Sequence, residues 1–178
     1  MRKVLYIFGL LTDQDAEWMA RTGTLRRLAR GEVIITEGEM IDFLAILLEG
    51  ELQVATRASG PVARLGVGEI VGEMSLVDSS RTSATIRASR DSMALMIDKA
   101  KLLQKVDADE GFGCRFFRAL AVFLADRLRA ANRAAGGSAP GESGGLLTDE
   151  LDDGVLDNTS AAGERFSRLL RTLSVAPV

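Results

Sequence analysis

An acid and a base stand eight residues apart in the stretch GEMSLVDSSRTSA, residues 72–84. The base, Arg81, carries a permanent charge on a planar fork of N–H donors, which matches the oxygens of a phosphate. Small hydroxyl residues flank it and would let a ligand approach the backbone. Gly72 permits a sharp turn, and the residues after it can form one helical turn whose first N–H groups are free to meet an anion. The stretch therefore predicts an anion site.

The acid, Glu73, indicates a second feature of the ligand. Its carboxylate cannot bind the phosphate, because like charges repel. A carboxylate beside an anion site is instead a suitable acceptor for a sugar hydroxyl. Glu73 and Arg81 together describe a ligand with one anionic group and one ribose-type hydroxyl close together, as in a cyclic nucleotide. The alternative is that the two side chains only form a salt bridge across a turn.

The composition disfavours most enzyme chemistry. The 178 residues include no histidine and one cysteine, Cys114, so the commonest metal ligand and general base is missing and a cysteine zinc site cannot form. Neither a P-loop nor a nucleophile motif is present. We therefore expect no enzyme activity, no metal and no cofactor. The single cysteine favours a reduced, cytoplasmic setting.

Charge and hydropathy limit the kinds of partner that the chain is expected to have. The formal net charge is −3, which argues against non-specific binding to nucleic acid. Apolar runs stay below transmembrane length, so no membrane span is expected.

The apolar spacing predicts an α+β fold. Thr12 is a typical N-cap for a short helix over residues 13–21. Across residues 24–98, short β-rich runs alternate with glycine-containing turns, which predicts a small antiparallel β-barrel or jelly roll. We expect a tight hairpin in LLEGELQV, with Glu49-Gly50 as its turn, and a looser hairpin around RASGPV.

Helical spacing takes over after Asp98, which is placed as the N-cap of a short helix. An amphipathic helix follows over residues 113–133. The residues that recur at helical spacing on it are Phe116, Leu120, Phe123, Leu124, Arg127 and Leu128, and Phe117 widens this stripe.

Composition divides the chain into three parts. Residues 1–134 form the domain with its flanking helices. Residues 135–163 form a flexible Gly/Ser and acidic linker. Residues 164–178 form a short amphipathic tail helix, which could cap the domain, dock on a partner protein or lie on a membrane. Its apolar face carries Phe166, Leu169, Leu170 and Leu173.

The run VGEIVGEMSLVDSSRTSATIRA, residues 67–88, resembles the phosphate-binding cassette of the cyclic nucleotide-binding domain family. This family includes the catabolite activator protein, cyclic-nucleotide-dependent kinases and gated channels. The upstream run LARGEVIITEGEMIDFLAILLEGELQV, residues 28–54, resembles the earlier strands of that domain. The resemblance implies a non-enzymatic regulatory module that binds cAMP or cGMP.

The resemblance also implies a role for individual residues. Glu73 would accept from the ribose 2′-hydroxyl, and Arg81 would pair with the cyclic phosphate. Backbone N–H groups at Ser75 and Ser83 would complete the phosphate site, and Thr82 is a hint of cGMP selectivity. Leu48 and Val62 would line the base pocket. The full predicted ligand-binding set is Gly72, Glu73, Met74, Ser75, Arg81, Thr82, Ser83, Leu48 and Val62.

Several functional alternatives stay open. The chain could be a family scaffold that has lost nucleotide binding and serves as a protein-protein interaction module. A DNA-binding regulator is disfavoured, since no two-helix unit with a basic face follows the long helix. Relatives dimerise through the helix that matches residues 114–131, which implies a possible homodimer. An unknown protein effector could bind the helix at residues 164–175.

Overall fold

The computed structural model describes residues 8–78, 80–135 and 153–175. In chain order the elements are helix α1 (Asp13–Thr22), strands β1 (Thr24–Leu28), β2 (Val33–Ile35), β3 (Phe43–Glu49), β4 (Leu52–Thr56), β5 (Gly60–Leu65) and β6 (Ile70–Val71), the short helix α2 (Met74–Val77), strands β7 (Thr85–Ala88) and β8 (Ser92–Asp98), and helices α3 (Lys99–Ala108), α4 (Glu110–Ala135) and α5 (Asp153–Val175).

The strands form two antiparallel sheets of four strands each, in the orders β1-β8-β3-β6 and β2-β7-β4-β5. Helices precede and follow this sandwich, so the predicted α+β fold with a small jelly roll is confirmed. The two sheets remain separate and do not close into a barrel within the described part of the chain.

The turn at Glu49-Gly50 is a corner between the sheets, which corrects the expected tight hairpin. β3 pairs with β6 and β8, whereas β4 pairs with β5 and β7. Gly50 has φ +94° at this corner, and an added Cβ would lie 2.1 Å from the Ser92 hydroxyl oxygen. A glycine with positive φ serves a corner as well as a hairpin, so local sequence does not separate the two. The looser hairpin is confirmed, with β4 and β5 paired from Thr56 opposite Gly60.

Strand β3 separates two cores, because its alternate side chains point to opposite faces. Leu44, Ile46 and Leu48 pack in the cluster that includes the helices. Ala45 and Leu47 pack in the cluster between the two sheets. This central strand therefore links the helical layer to the sandwich.

The predicted helix starts are observed. The Thr12 hydroxyl accepts from the Asp15 N–H, and the Asp15 carboxylate accepts from the Thr12 N–H at 2.8 Å, a capping box. The Asp98 carboxylate accepts from the Lys101 N–H at 2.9 Å and starts α3. The long helix α4 begins a few residues earlier than predicted, and Arg115 on it donates to both oxygens of buried Asp15 at 2.7 and 3.0 Å.

The tail helix α5 begins at Asp153, within the segment predicted to be a linker. Residues 136–152 of that segment lie outside the described residues. Ala162, Leu169 and Leu173 are buried in the helical core cluster, and the Phe166 ring meets the Phe8 ring edge-on at 5.6 Å. This long-range packing stabilises a helix whose start is not apparent from local composition. The apolar stripe of α5 therefore packs on the chain's own helical layer.

None of the helices in the described ranges is both long and apolar enough to cross a membrane.

Candidate functional site

Gly72 sets the shape of the segment before α2. Its φ is +86°, and a Cβ at this position would lie 2.6 Å from the Phe43 carbonyl oxygen. The tight approach of two backbones therefore requires glycine here. The chain continues directly into Glu73 and α2, and the Ser75 hydroxyl donates back to the Gly72 carbonyl at 2.7 Å. The predicted sharp turn and single helical turn are both confirmed.

Glu73 and Arg81 line one common cavity of about 120 Å³. Backbone and side chains of the cassette form one wall, the sandwich supplies an apolar wall, and one residue comes from α4. The lining residues are Ile35, Ile41, Val54, Gly72, Glu73, Met74, Ser75, Asp78, Ser80, Arg81, Thr82, Ser83, Ala84, Ile86 and Arg127. The arrangement offers one polar edge and one apolar surface, as a small amphipathic ligand requires.

The carboxylate of Glu73 is paired with Arg127 of α4, with Nη1 and Oε1 2.6 Å apart. Glu73 is buried, with 4% of its surface exposed. Burial raises the pKa of its carboxyl, Arg127 opposes that shift, and the charge of Glu69 adds to it. The guanidinium of Arg127 also lies over the Phe123 ring, 5.4 Å from its centroid. The ion pair of Glu73 is therefore with α4, and the alternative of a local bridge to Arg81 is wrong.

Arg81 lies at the exposed mouth of the cavity. One of its guanidinium nitrogens, Nη1, donates to the Gly38 carbonyl at 3.0 Å. A guanidinium has five N–H donors in a planar fork, so this contact fixes the side chain and leaves donors for an anion.

Thr82 holds the loop between β2 and β3. Its hydroxyl accepts from the Glu39 N–H at 3.1 Å and donates to the Thr36 carbonyl at 2.5 Å. Its backbone N–H donates to the Glu39 carbonyl at 2.9 Å. The hydroxyl proton is thus engaged within the protein, so any contact between Thr82 and a base would have to share this network.

Two residues of the predicted set lie away from the cavity. Leu48 is buried at 2% exposure in the helical core cluster, because strand alternation turns it toward the helices. Val62 is 51% exposed on β5, and it is the extra residue where the β4–β5 register shifts from Ala63 to Pro61. These two side chains, expected to line the base pocket, are thus not among the residues that line the cavity with Glu73 and Arg81.

The other predicted residues do line the cavity, and they are Gly72, Glu73, Met74, Ser75, Arg81, Thr82 and Ser83. Ser79, in the same loop, lies outside the described residues.

Arg127 is the main site residue that sequence reasoning missed. It was placed in an apolar helical stripe, where an arginine needs an acidic partner. An arginine within an apolar stripe was therefore the signal that the sequence offered, but nothing near Arg127 in the sequence identifies Glu73 as its partner. The apolar lining also went unrecognised, and it consists of Ile35, Ile41, Val54, Ala84 and Ile86. Phe116 and Phe123 pack in the helical core, and no phenylalanine is among the described residues that line the cavity.

The sequence model of the cyclic nucleotide-binding domain matches residues 25–109. Residues 25–109 belong to the cyclic nucleotide-binding domain family. The match includes both sheets and the whole cassette, and it ends at the start of α4. Arg127 and the tail helix α5 therefore lie beyond the segment that the family model matches.

The chain is similar to short parts of two proteins of different kinds. A cGMP-dependent protein kinase of Eimeria tenella is 33% identical over 105 residues, which cover 58% of this chain and 10% of the kinase. The Pycsar effector protein PaPycTIR of Pseudomonas aeruginosa is 35% identical over 101 residues, 56% of this chain and 32% of the effector. The chain thus spans at most about a third of these relatives.

The fold has a close match among solved structures. A cyclic nucleotide-binding domain from Methylobacillus flagellatus aligns with a TM-score of 0.68 at 23% identity, covering 80% of this chain and 85% of that one.

Proposed function

We propose that the cyclic nucleotide-binding domain of this chain is a regulatory module that binds a cyclic mononucleotide, cAMP or cGMP, in the cavity beneath the cassette. The observation that carries the proposal is that Glu73 and Arg81, the residues predicted for ribose and phosphate, line one cavity. The apolar wall from Ile35, Val54 and Ile86 suits the sugar and base. The name of the similar kinase, which is cGMP-dependent, supports the same ligand class.

Each polar group has a distinct part in the proposed complex. Arg81 binds the cyclic phosphate with its free guanidinium donors. Backbone N–H groups at Ser75 and Ser83 add donors to the phosphate oxygens. Glu73 accepts from the ribose 2′-hydroxyl, while Arg127 holds the other side of its carboxylate and keeps the buried charge paired.

Signalling to the helices follows from the same contacts. A ligand that engages Glu73 acts directly on its bond to Arg127, and thus on α4. Arg115 ties α4 to Asp15 of α1, and α1 packs against α5. The ligand has a regulatory effect only if it favours one arrangement of these helices over another. An effector that uses residues 164–175 would then bind α5 after it leaves its docked position.

The surface of α4 supports a homodimer. Phe117, Ala121, Leu124, Leu128 and Ala131 recur at alternating intervals of four and three residues. Phe117 and Leu128 are exposed to 38% and 63%. This spacing is typical of helices that pair with another helix. We infer that the partner is α4 of a second copy of the chain.

The test of ligand binding compares thermal unfolding and calorimetric titration with cAMP and cGMP. At a hundredfold excess over the dissociation constant, the ligand should stabilise the protein by about 2.7 kcal/mol. Arg81→Ala should remove most of this gain. Arg87→Ala is the matched control, since Arg87 is exposed on β7 and does not line the cavity.

The role of Glu73 is tested with 2′-deoxy-cAMP, which lacks the hydroxyl that the carboxylate would accept from. We expect 2′-deoxy-cAMP to bind the wild type about tenfold more weakly than cAMP does. It should bind Glu73→Gln as weakly as it binds the wild type. The scaffold alternative predicts that no cyclic mononucleotide stabilises the wild-type protein.

A further inference from the structure

Lys99 connects the cassette to the frame of the domain. Its Nζ donates to the carbonyl oxygen of Ser75 in α2. Its own main chain is fixed at the first position of α3, where its N–H donates to the Asp42 carbonyl at 2.7 Å. The ammonium group therefore reaches the cassette from a fixed point at the end of β8.

The Ser75 carbonyl needs such a partner. Helix α2 has four residues, and the last carbonyls of any helix lack partners within it. The Glu73 carbonyl accepts from the Leu76 N–H at 3.1 Å, and the Met74 carbonyl accepts from the Asp78 N–H at 3.0 Å. Lys99 donates to the next carbonyl in the chain, that of Ser75. A cation is favoured at the carbonyl end of a helix.

Ser75 is thereby held on two sides. Its hydroxyl donates to the Gly72 carbonyl at 2.7 Å, and its carbonyl accepts from Lys99. The residue is 7% exposed and directly follows Glu73 and Met74 at the cavity wall. A shift of Ser75 would therefore move the Glu73 carboxylate and the backbone beside it together.

We propose that Lys99 is a positioning residue for the ligand site, acting through Ser75. It is not among the cavity-lining residues, so it sets the orientation of residues 73–75 and does not contact the ligand. The inference rests on the proposed function for its effect on affinity, but its effect on the cassette is a property of the ligand-free protein.

The experiment compares Lys99→Met with Lys101→Met, since Lys101 is exposed on the same helix. Hydrogen exchange without ligand should become faster at the amides of residues 72–84 in Lys99→Met only. Titration with cAMP and cGMP should show an affinity about tenfold lower for Lys99→Met and unchanged for Lys101→Met. Lys99→Arg keeps a charged donor and should restore both values. If Lys99→Met does not fold, Lys99→Ala, which also removes the donor, takes its place.

Unchanged exchange in the cassette overturns the proposal, and so does faster exchange without any loss of affinity. An equal loss in Lys101→Met also overturns it, because the effect would then be one of general charge. If the wild type binds neither nucleotide, the proposed function fails, and the exchange comparison alone decides whether Lys99 positions the cassette.

Discussion

At the scale of single residues, the burial of the Glu73 carboxyl disfavours its ionised form. Burial raises its pKa above the ordinary value of 4.5 and outweighs the pull of Arg127. The folded state therefore holds this proton more tightly than the unfolded state does. The contribution of Glu73 to the free energy of unfolding is fully present below pH 4.5 and is lost as pH rises through the higher folded-state pKa.

A Glu73→Gln variant removes this titration. We expect the free energy of unfolding of the variant, minus that of the wild type, to increase as pH rises from about 4 to about 7, because only the wild type ionises a buried group. Urea unfolding at several pH values measures the difference. Glu164→Gln, at an exposed position on α5, is the control. A difference that is constant or that falls with pH would contradict the assignment.

Gly72 and Gly31 show two different physical reasons for a glycine at a turn. Both have positive φ, +86° and +89°, but a Cβ meets the Phe43 carbonyl only at Gly72, while nothing lies within 4 Å at Gly31. Gly31→Ala should lower the free energy of unfolding by about 1 kcal/mol from backbone strain alone. Gly72→Ala should lower the free energy of unfolding by about 1–3 kcal/mol more than Gly31→Ala does, because two backbones must separate. Chemical denaturation of both variants checks the order, and equal losses would show that the close approach is unimportant.

At the scale of elements, local sequence determines the existence of strands better than their partners. The alternating runs predicted the sandwich, yet the corner at Gly50 and a hairpin turn both require positive φ. The sequence shows which residues of β3 share a face with Leu48, but which of the two faces meets the helices depends on packing from distant segments. The same holds for Arg127, whose partner Glu73 lies 54 positions away, and for α5, whose residues Ala162, Leu169 and Leu173 are buried against distant parts of the chain.

Helix α4 has both a buried and an exposed apolar face. Leu128→Glu places a charge on the exposed stripe without a cost in helix propensity. We expect it to shift the chain from dimer to monomer in analytical ultracentrifugation, whereas Arg129→Glu, at the neighbouring exposed position, should leave the dimer intact. A wild-type chain that is monomeric at high micromolar concentration would contradict the inferred interface.

At the scale of the whole molecule, three contacts in series connect the cavity with the tail. Glu73 pairs with Arg127, Arg115 pairs with Asp15, and Asp13 accepts from Arg165 at 2.8 Å. Arg165 also donates to the Phe8 carbonyl at 2.9 Å. Helix α4 is thus joined to other elements at two points, through Arg127 to the cavity and through Arg115 to the helix on which α5 docks.

Thermodynamic reciprocity makes this series testable. If a nucleotide changes the equilibrium for docking of α5 by some factor, then docking changes nucleotide affinity by that same factor, and weakening the docking should shift the affinity. Arg165→Met removes the contacts to Asp13 and to the Phe8 carbonyl while it keeps the length of the side chain. We expect faster hydrogen exchange in α5 and a dissociation constant for cAMP or cGMP that differs from the wild-type value by about fivefold or more.

The control is Arg171→Met, because Arg171 is exposed and its Nε donates within its own helix, to the Ser167 carbonyl. It should leave both exchange and affinity unchanged. Saturating nucleotide should in turn alter exchange in α5 of the wild-type chain. If Arg165→Met loosens α5 and leaves affinity at its wild-type value, the tail is a static brace of the helical layer, and the signal must leave the domain through α4 alone.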